Sequence, residues 1–149
     1  MFRGRYTLTI DPKGRLSIPA KFRDALRADY GGKLIVVPDV SDTCLQAHPL
    51  AEWERIEERF REQPPFSSDA RKISRLFLSR AKETSLDGAG RILIPQDARE
   101  QAGLVKDVTI VAGGERHFEV WDRQRLQDFD LEHQHELRSV FDRVPGLGA

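Results

Sequence analysis

Apolar and polar residues alternate along Tyr6-Thr7-Leu8-Thr9-Ile10, the period-two pattern of a strand with one buried face. Asp11-Pro12-Lys13-Gly14 interrupts it with turn chemistry. Aspartate can bond its own backbone, proline presets φ, and glycine tolerates positive φ. Arg15 to Ile18 resumes the alternation and predicts the returning strand of a β-hairpin. Leu16 and Ile18 face inward, and Arg15 and Ser17 face outward. Pro19 ends this strand and suits the first turn of a helix. Ala20 to Leu26 predicts that helix, with Phe22, Ala25 and Leu26 on its apolar side. Leu34–Val37 and Cys44–Ala47 read as two more strands.

The same order recurs later in the chain. Asp11-Pro-Lys-Gly-Arg-Leu-Ser-Ile-Pro19 returns as Asp87-Gly-Ala-Gly-Arg-Ile-Leu-Ile-Pro95, an offset of 76 residues. Outside the motif, Ile10 matches Leu86, Arg23 matches Arg99, and Leu34-Ile35-Val36 matches Ile110-Val111-Ala112. Leu45 and Phe118 correspond after a short deletion. Glu83–Leu86 is predicted to pair with Arg91–Ile94, Pro95 to open a helix that Gly103 closes, and Val108–Ala112 and His117–Trp121 to be strands. Each copy is a β-β-α-β-β unit too short to bury a core alone, so the two are expected to pair as a pseudo-dimer.

The predicted organisation is a first unit over 5–52, connecting helices over 53–80, a second unit over 81–124 and a helical tail over 125–149. Trp53, Ile56 and Phe60 line one face of a helix that Pro64-Pro65 stops. Ser67, Ser68 or Asp69 caps the next, which reaches about Arg80 through Ile73, Leu76 and Phe77. Asp122 caps a helix carrying Leu126 and Phe129, and Asp130–Phe141 adds a further helical stretch.

Twenty-four Lys and Arg balance 24 Asp and Glu, so bulk charge names no partner. Its placement does. Residues 1–27 hold Arg3, Arg5, Lys13, Arg15, Lys21, Arg23 and Arg27 against Asp11 and Asp24, and residues 71–106 are also basic, whereas the tail is acidic. Two basic faces suit phosphate binding, and a two-stranded ribbon fits the DNA major groove, where arginine can bond guanine O6 and N7 together. Arg15, Lys13, Arg3 and Arg5 are therefore candidate DNA contacts, with Arg91 in the second copy. Asp11 and Asp87 fix the turn or orient the arginine, since phosphate repels a carboxylate. One unit spans few base pairs, so affinity is expected to come from a homo-oligomer on repeated sites of double-stranded DNA.

Other chemistry is sparse. No nucleophile elbow, phosphate-binding loop or zinc-protease motif is present, which predicts no enzyme activity, no cofactor and no small-molecule substrate. His133-x-His135 lacks the companions of a metal site. Trp53 and Trp121 read as core or interface anchors, and Cys44 as an inert buried thiol. A lone cysteine allows no intrachain disulfide, Met1 to Arg5 lacks the apolar stretch of a signal peptide, and no run is long enough to span a membrane. These features predict a cytoplasmic protein without a membrane partner.

The opening Met1-Phe2-Arg3-Gly4, both Asp-x-x-Gly-Arg turns, the Ile92-Leu93-Ile94-Pro95 run and Pro49-Leu50-Ala51-Glu52-Trp53 together resemble the MraZ family through about Trp121. The resemblance implies an α+β, mostly β fold of two SpoVT-AbrB (swapped-hairpin) units in an intramolecular pseudo-dimeric barrel with flanking helices. It implies a transcriptional regulator of the division and cell-wall gene cluster, nucleoid-associated and assembled in a ring. It also implies that Asp11, Gly14 and Arg15, with Asp87, Gly90 and Arg91, form the DNA-contacting motif. The second turn has Gly88-Ala89 in place of Pro12-Lys13, and the missing tip lysine sets equal DNA binding by the two turns in question. The alternative is an interaction scaffold or antitoxin-like module whose acidic tail captures a partner protein.

Overall fold

The computed structural model describes residues 1–41 and 43–148. The chain runs β1 (Arg3–Thr9), β2 (Arg15–Ser17), α1 (Ala20–Tyr30), β3 (Lys33–Pro38), β4 (Leu45–Pro49), α2 (Leu50–Arg61) and α3 (Ser68–Leu76). A 3₁₀ turn (Leu78–Arg80) leads into β5 (Lys82–Ser85), β6 (Arg91–Leu93), α4 (Gln96–Ala102), β7 (Asp107–Gly113), β8 (Phe118–Asp122), α5 (Arg123–His133) and α6 (Leu137–Arg143). Helix α1 is longer than the sequence pattern predicts. Nothing between Arg27 and Tyr30 opposes a helix, and the stop comes only at Gly31, in the left-handed region at φ +63. Ser67 and Asp122 do cap α3 and α5, accepting hydrogen bonds from the amides of Ala70 and Arg125.

The strands form a six-stranded antiparallel sheet in the order β1-β7-β8-β4-β3-β5, and a separate ribbon, β2-β6. The two expected local hairpins do not form. Each copy's first strand pairs with the third strand of the other copy, Tyr6 opposite Ile110 and Leu34 opposite Thr84, while β2 pairs with β6. Period-two alternation fixes which face of a strand is buried, not which strand lies beside it, so the sequence pattern fits either partner equally well. The fold is mixed α+β and mostly antiparallel, as expected, but no ladder among the described residues closes the sheet into a barrel: β1 and β5 are its edges.

One core fills the space between the sheet, the ribbon and helices α1 and α4. Leu16 and Ile92 from the ribbon strands, with Ile18 and Ile94 just after them, meet Leu34, Val36, Ile110 and Val120 from the sheet, all essentially sealed from solvent. Phe2, Phe22 and Phe118 interlock there, with ring centroids 4.9–5.4 Å apart. On the sheet's other face two smaller clusters sit under the helices that follow the fourth strands. Ile35 and Val37 pack on Trp53 of α2, and Trp121 and Cys44 pack on Leu126 of α5. Burial pushes the Cys44 thiol well above its ordinary range, away from the reactive thiolate.

Candidate nucleic-acid interface

The β2-β6 ribbon is where the two copies meet about a local pseudo-twofold. Arg15 lies opposite Leu93, Leu16 opposite Ile92, and Ser17 opposite Arg91. Residues directly across an antiparallel pair share a face. Leu16 and Ile92 therefore point into the core, and Arg15, Ser17, Arg91 and Leu93 share the outer face. The ribbon is extended by two reciprocal bonds: Ile94 donates its amide to the Gly14 carbonyl at 2.8 Å, and Ile18 donates to the Gly90 carbonyl at 3.0 Å. Each motif glycine thus holds the opposite copy's strand. Both sit at positive φ, +89 and +76, and neither has room for a side chain. A Cβ on Gly14 would lie 2.9 Å from the Ile94 carbonyl oxygen, and one on Gly90 would run into the Arg23 side chain.

Within each turn the aspartate organises the backbone and the arginine together. Asp11 Oδ1 accepts the amides of Lys13 and Arg15 at 3.0 and 2.9 Å, and its Oδ2 accepts Arg15 Nε at 2.6 Å. Asp87 repeats this with Ala89, Arg91 and Arg91 Nε at 2.9, 2.9 and 3.0 Å. The amide of Arg15, and then its guanidinium, hold the Asp11 carboxyl below the usual carboxylate range, and Arg91 does the same for Asp87. Only Nε of each arginine is engaged. Both side chains remain 33% exposed, and among the described residues their terminal nitrogens have no hydrogen-bonding partner. The geometry presents two oriented, uncommitted guanidinium forks on one face.

The remaining sequence candidates divide. Lys13 is exposed at the tip of the first turn. Arg3 and Arg5 stand at the far end of β1, and at about 3.3 Å per residue Arg5 is roughly 20 Å along the strand from Asp11. Arg5 also forks onto Asp130 of α5, at 2.6 and 3.1 Å. The structure does not bring Arg3 or Arg5 to the ribbon. As candidate DNA contacts they would extend the basic surface beyond the ribbon, along the strand that separates Arg5 from Asp11.

Three arginines without an assigned role in the sequence do lie at the turns. Arg99 on α4 donates Nε to the Ile94 carbonyl at 3.0 Å and covers Gly14. Its counterpart Arg23 on α1 covers Gly90. Arg27, one helical turn on, donates Nη2 to the Asp87 carbonyl at 3.3 Å. The matched positions of Arg23 and Arg99 were the available signal. That each reaches the other copy's turn follows only from the exchanged strands.

Comparison with known proteins also finds the unit twice in the chain. The family model described as "MraZ protein, putative antitoxin-like" matches twice, over residues 1–76 and 77–144. Each match includes the helix that follows the fourth strand. The chain is similar to proteins named Transcriptional regulator MraZ. It is 45% identical to that of Nitrosococcus oceani over 122 residues, covering 82% of this chain and 81% of the relative. It is 43% identical to that of Azotobacter vinelandii, covering 82% and 80%. The relative from Legionella pneumophila is 38% identical over 145 residues, covering 97% and 95%. A duplicated unit, a matching family model over nearly all its length and relatives of this similarity place the chain in the MraZ family.

Proposed function

We propose that this protein is a transcriptional regulator that binds double-stranded DNA through the outer face of the β2-β6 ribbon. The carrying observation is that Arg15 and Arg91 lie on one outward face, each aimed by its own aspartate and each with its terminal nitrogens uncommitted. A ribbon of this width enters a major groove, and paired arginine forks suit guanine edges or phosphates. The names of the relatives support regulation of transcription. By resemblance, the targets are the division and cell-wall genes with its own promoter, and the working site is the nucleoid in the cytoplasm.

One ribbon spans few base pairs, so binding as a ring-like homo-oligomer on repeated sites completes the reading. Large apolar side chains left on the surface support self-association, among them Phe66, Ile73, Leu76 and Leu131.

Footprinting on the DNA upstream of its own gene tests the proposal. Protection at spaced repeats is expected. Arg15→Ala and Arg91→Ala should each weaken binding by about 1–3 kcal/mol. Unchanged promoter binding by the double variant would overturn the assignment. Light scattering behind size exclusion reads the oligomer, and a monomer at micromolar concentration would defeat the avidity argument.

A further inference from the structure

The two turns look unequal in sequence. Lys13 has Ala89 as its counterpart, and Arg27 has Gly103. At both positions the first copy carries the cation and the second carries none. If each copy served only its own turn, the second would be two charges poorer.

Exchange of strands redistributes those charges. Lys13 stays at its own turn, but α1 packs beside the turn of the other copy, where Arg27 reaches the Asp87 carbonyl. Arg23 goes with it to Gly90, and Arg99 of the second copy goes to Gly14. The first turn is then surrounded by Lys13, Arg15 and Arg99 against Asp11. The second is surrounded by Arg23, Arg27 and Arg91 against Asp87. Three of these cations accompany one carboxylate at each, and Lys106, whose carbonyl accepts the Ile10 amide at 2.8 Å, flanks the first turn as well. Among the described residues no carboxylate pairs with Arg23, Arg27 or Arg99, so their charge is not spent inside the protein.

Building on the DNA-binding reading, we infer that each Asp-x-x-Gly-Arg turn is completed by arginines of the other repeat, and that Arg27 supplies across the pseudo-twofold the phosphate contact that Lys13 makes at the first turn. The ligand at these positions is the phosphate backbone, not a base edge. Arg27 is a charge on a side chain held by one carbonyl bond, without the carboxylate that aims Arg15 and Arg91. Arg27 then makes good at the second turn the one phosphate contact that its tip, lacking a lysine, cannot make.

Phosphate contacts are counted by the salt dependence of binding, which loses about one unit of slope, in log affinity against log salt, for each contact removed. The probe is a random-sequence duplex, titrated with the full chain over a range of salt and read by fluorescence anisotropy. Arg27→Ala should lower the slope by about one for each chain bound, and Lys13→Ala should do the same. Arg27→Lys should keep it. Adding Ala89→Lys to Arg27→Ala should restore the lost unit, whereas Ala89→Lys alone should leave the slope nearly unchanged, because that phosphate is already neutralised.

The inference is overturned if Arg27→Ala leaves the slope intact while Lys13→Ala and Arg15→Ala reduce it. It is equally overturned if Ala89→Lys alone raises the slope by a full unit, a result that needs no substitution of Arg27. If Arg15→Ala and Arg91→Ala also leave the slope untouched, it is the DNA-binding reading that fails. Coincident thermal unfolding of the variants confirms that each slope belongs to a folded chain.

Discussion

The two repeats agree most closely along the pseudo-twofold and diverge away from it. Their turns are nearly superposable in bonding: the same carboxylate accepts two amides and an Nε, and the same glycine carbonyl takes a strand amide from the other copy. Away from the pseudo-twofold the copies part. β1 runs seven residues and β5 four, and α1 runs 11 residues where α4 runs seven. Under the helices after the fourth strands, His48 with Trp53 stands where the second copy has Trp121 with Leu126. A pair of residues facing each other across an axis constrain one another, whereas a residue on a peripheral strand end answers only to its own neighbours. The turns at the seam are equal in bonding, whereas β1 and β5, which also pair across the copies, are not.

The largest test of that seam is a matched pair of substitutions. Gly14→Ala and Gly90→Ala both force a side chain into positive φ. A methyl at Gly14 also meets the Ile94 carbonyl, part of the ribbon backbone, whereas at Gly90 it meets the flexible Arg23 side chain, which can swing away. Urea unfolding should show Gly14→Ala costing about 2–3 kcal/mol and Gly90→Ala about 1–2 kcal/mol. Equal losses would mean the φ strain alone decides.

A second test separates the outer clusters. His48 is buried against Trp53, with His117 stacked at 4.7 Å and Gln46 bonded at 2.8 Å. Burial, and then the neighbouring His117, push its pKa down to about 4. The folded protein therefore refuses a proton that the unfolded chain accepts below about pH 6.5. Stability should be full above that value and fall on acidification, levelling off only near pH 4, with a loss of about 2 kcal/mol by pH 5. His48→Gln should flatten the dependence. Trp121 offers the second copy no such proton site, so a matching acid-labile step in its cluster would break the contrast.

The smallest expected effect concerns the turns themselves. Asp11 and Asp87 both titrate below the ordinary carboxylate range. Their turn bonds should survive as pH falls past that range and release only as it crosses each lowered value, where the carboxylate is lost. Amide shifts of Lys13 and Ala89 would follow the two releases, and similar midpoints would extend the symmetry of the turns to their electrostatics.

Much of this architecture is legible in the sequence because it is local. Asp-Pro-Lys-Gly and Asp-Gly-Ala-Gly declare turns, Leu16, Ile18, Ile92 and Ile94 declare a buried face, and Ser67, Asp122 and Gly103 mark helix ends that the structure places there. Partner choice is not local. Leu8 and Ile10 would bury as well beside β2 as beside β7, so the hairpins expected from adjacency gave way to pairing between copies. The roles of Arg23, Arg27 and Arg99 were hidden for the same reason, since their neighbours belong to the other repeat. Arg5 shows the converse. It is close to the turn in sequence, and its carboxylate partner Asp130 is near the end of the chain.

The crossed pairing of β1 with β7 and β3 with β5 has a consequence for how the molecule comes into being. During synthesis the first half emerges with all four of its strands lacking a proper neighbour that has not yet been translated, since β2 also awaits β6 and β4 awaits β8. Until β7 leaves the ribosome, β1 is an exposed template for any extended chain nearby, including another nascent copy of itself. Contacts this distant along the chain close slowly. A gene cut between the halves would therefore yield two fragments that each lack a mate, and co-expression should rescue them where either alone aggregates.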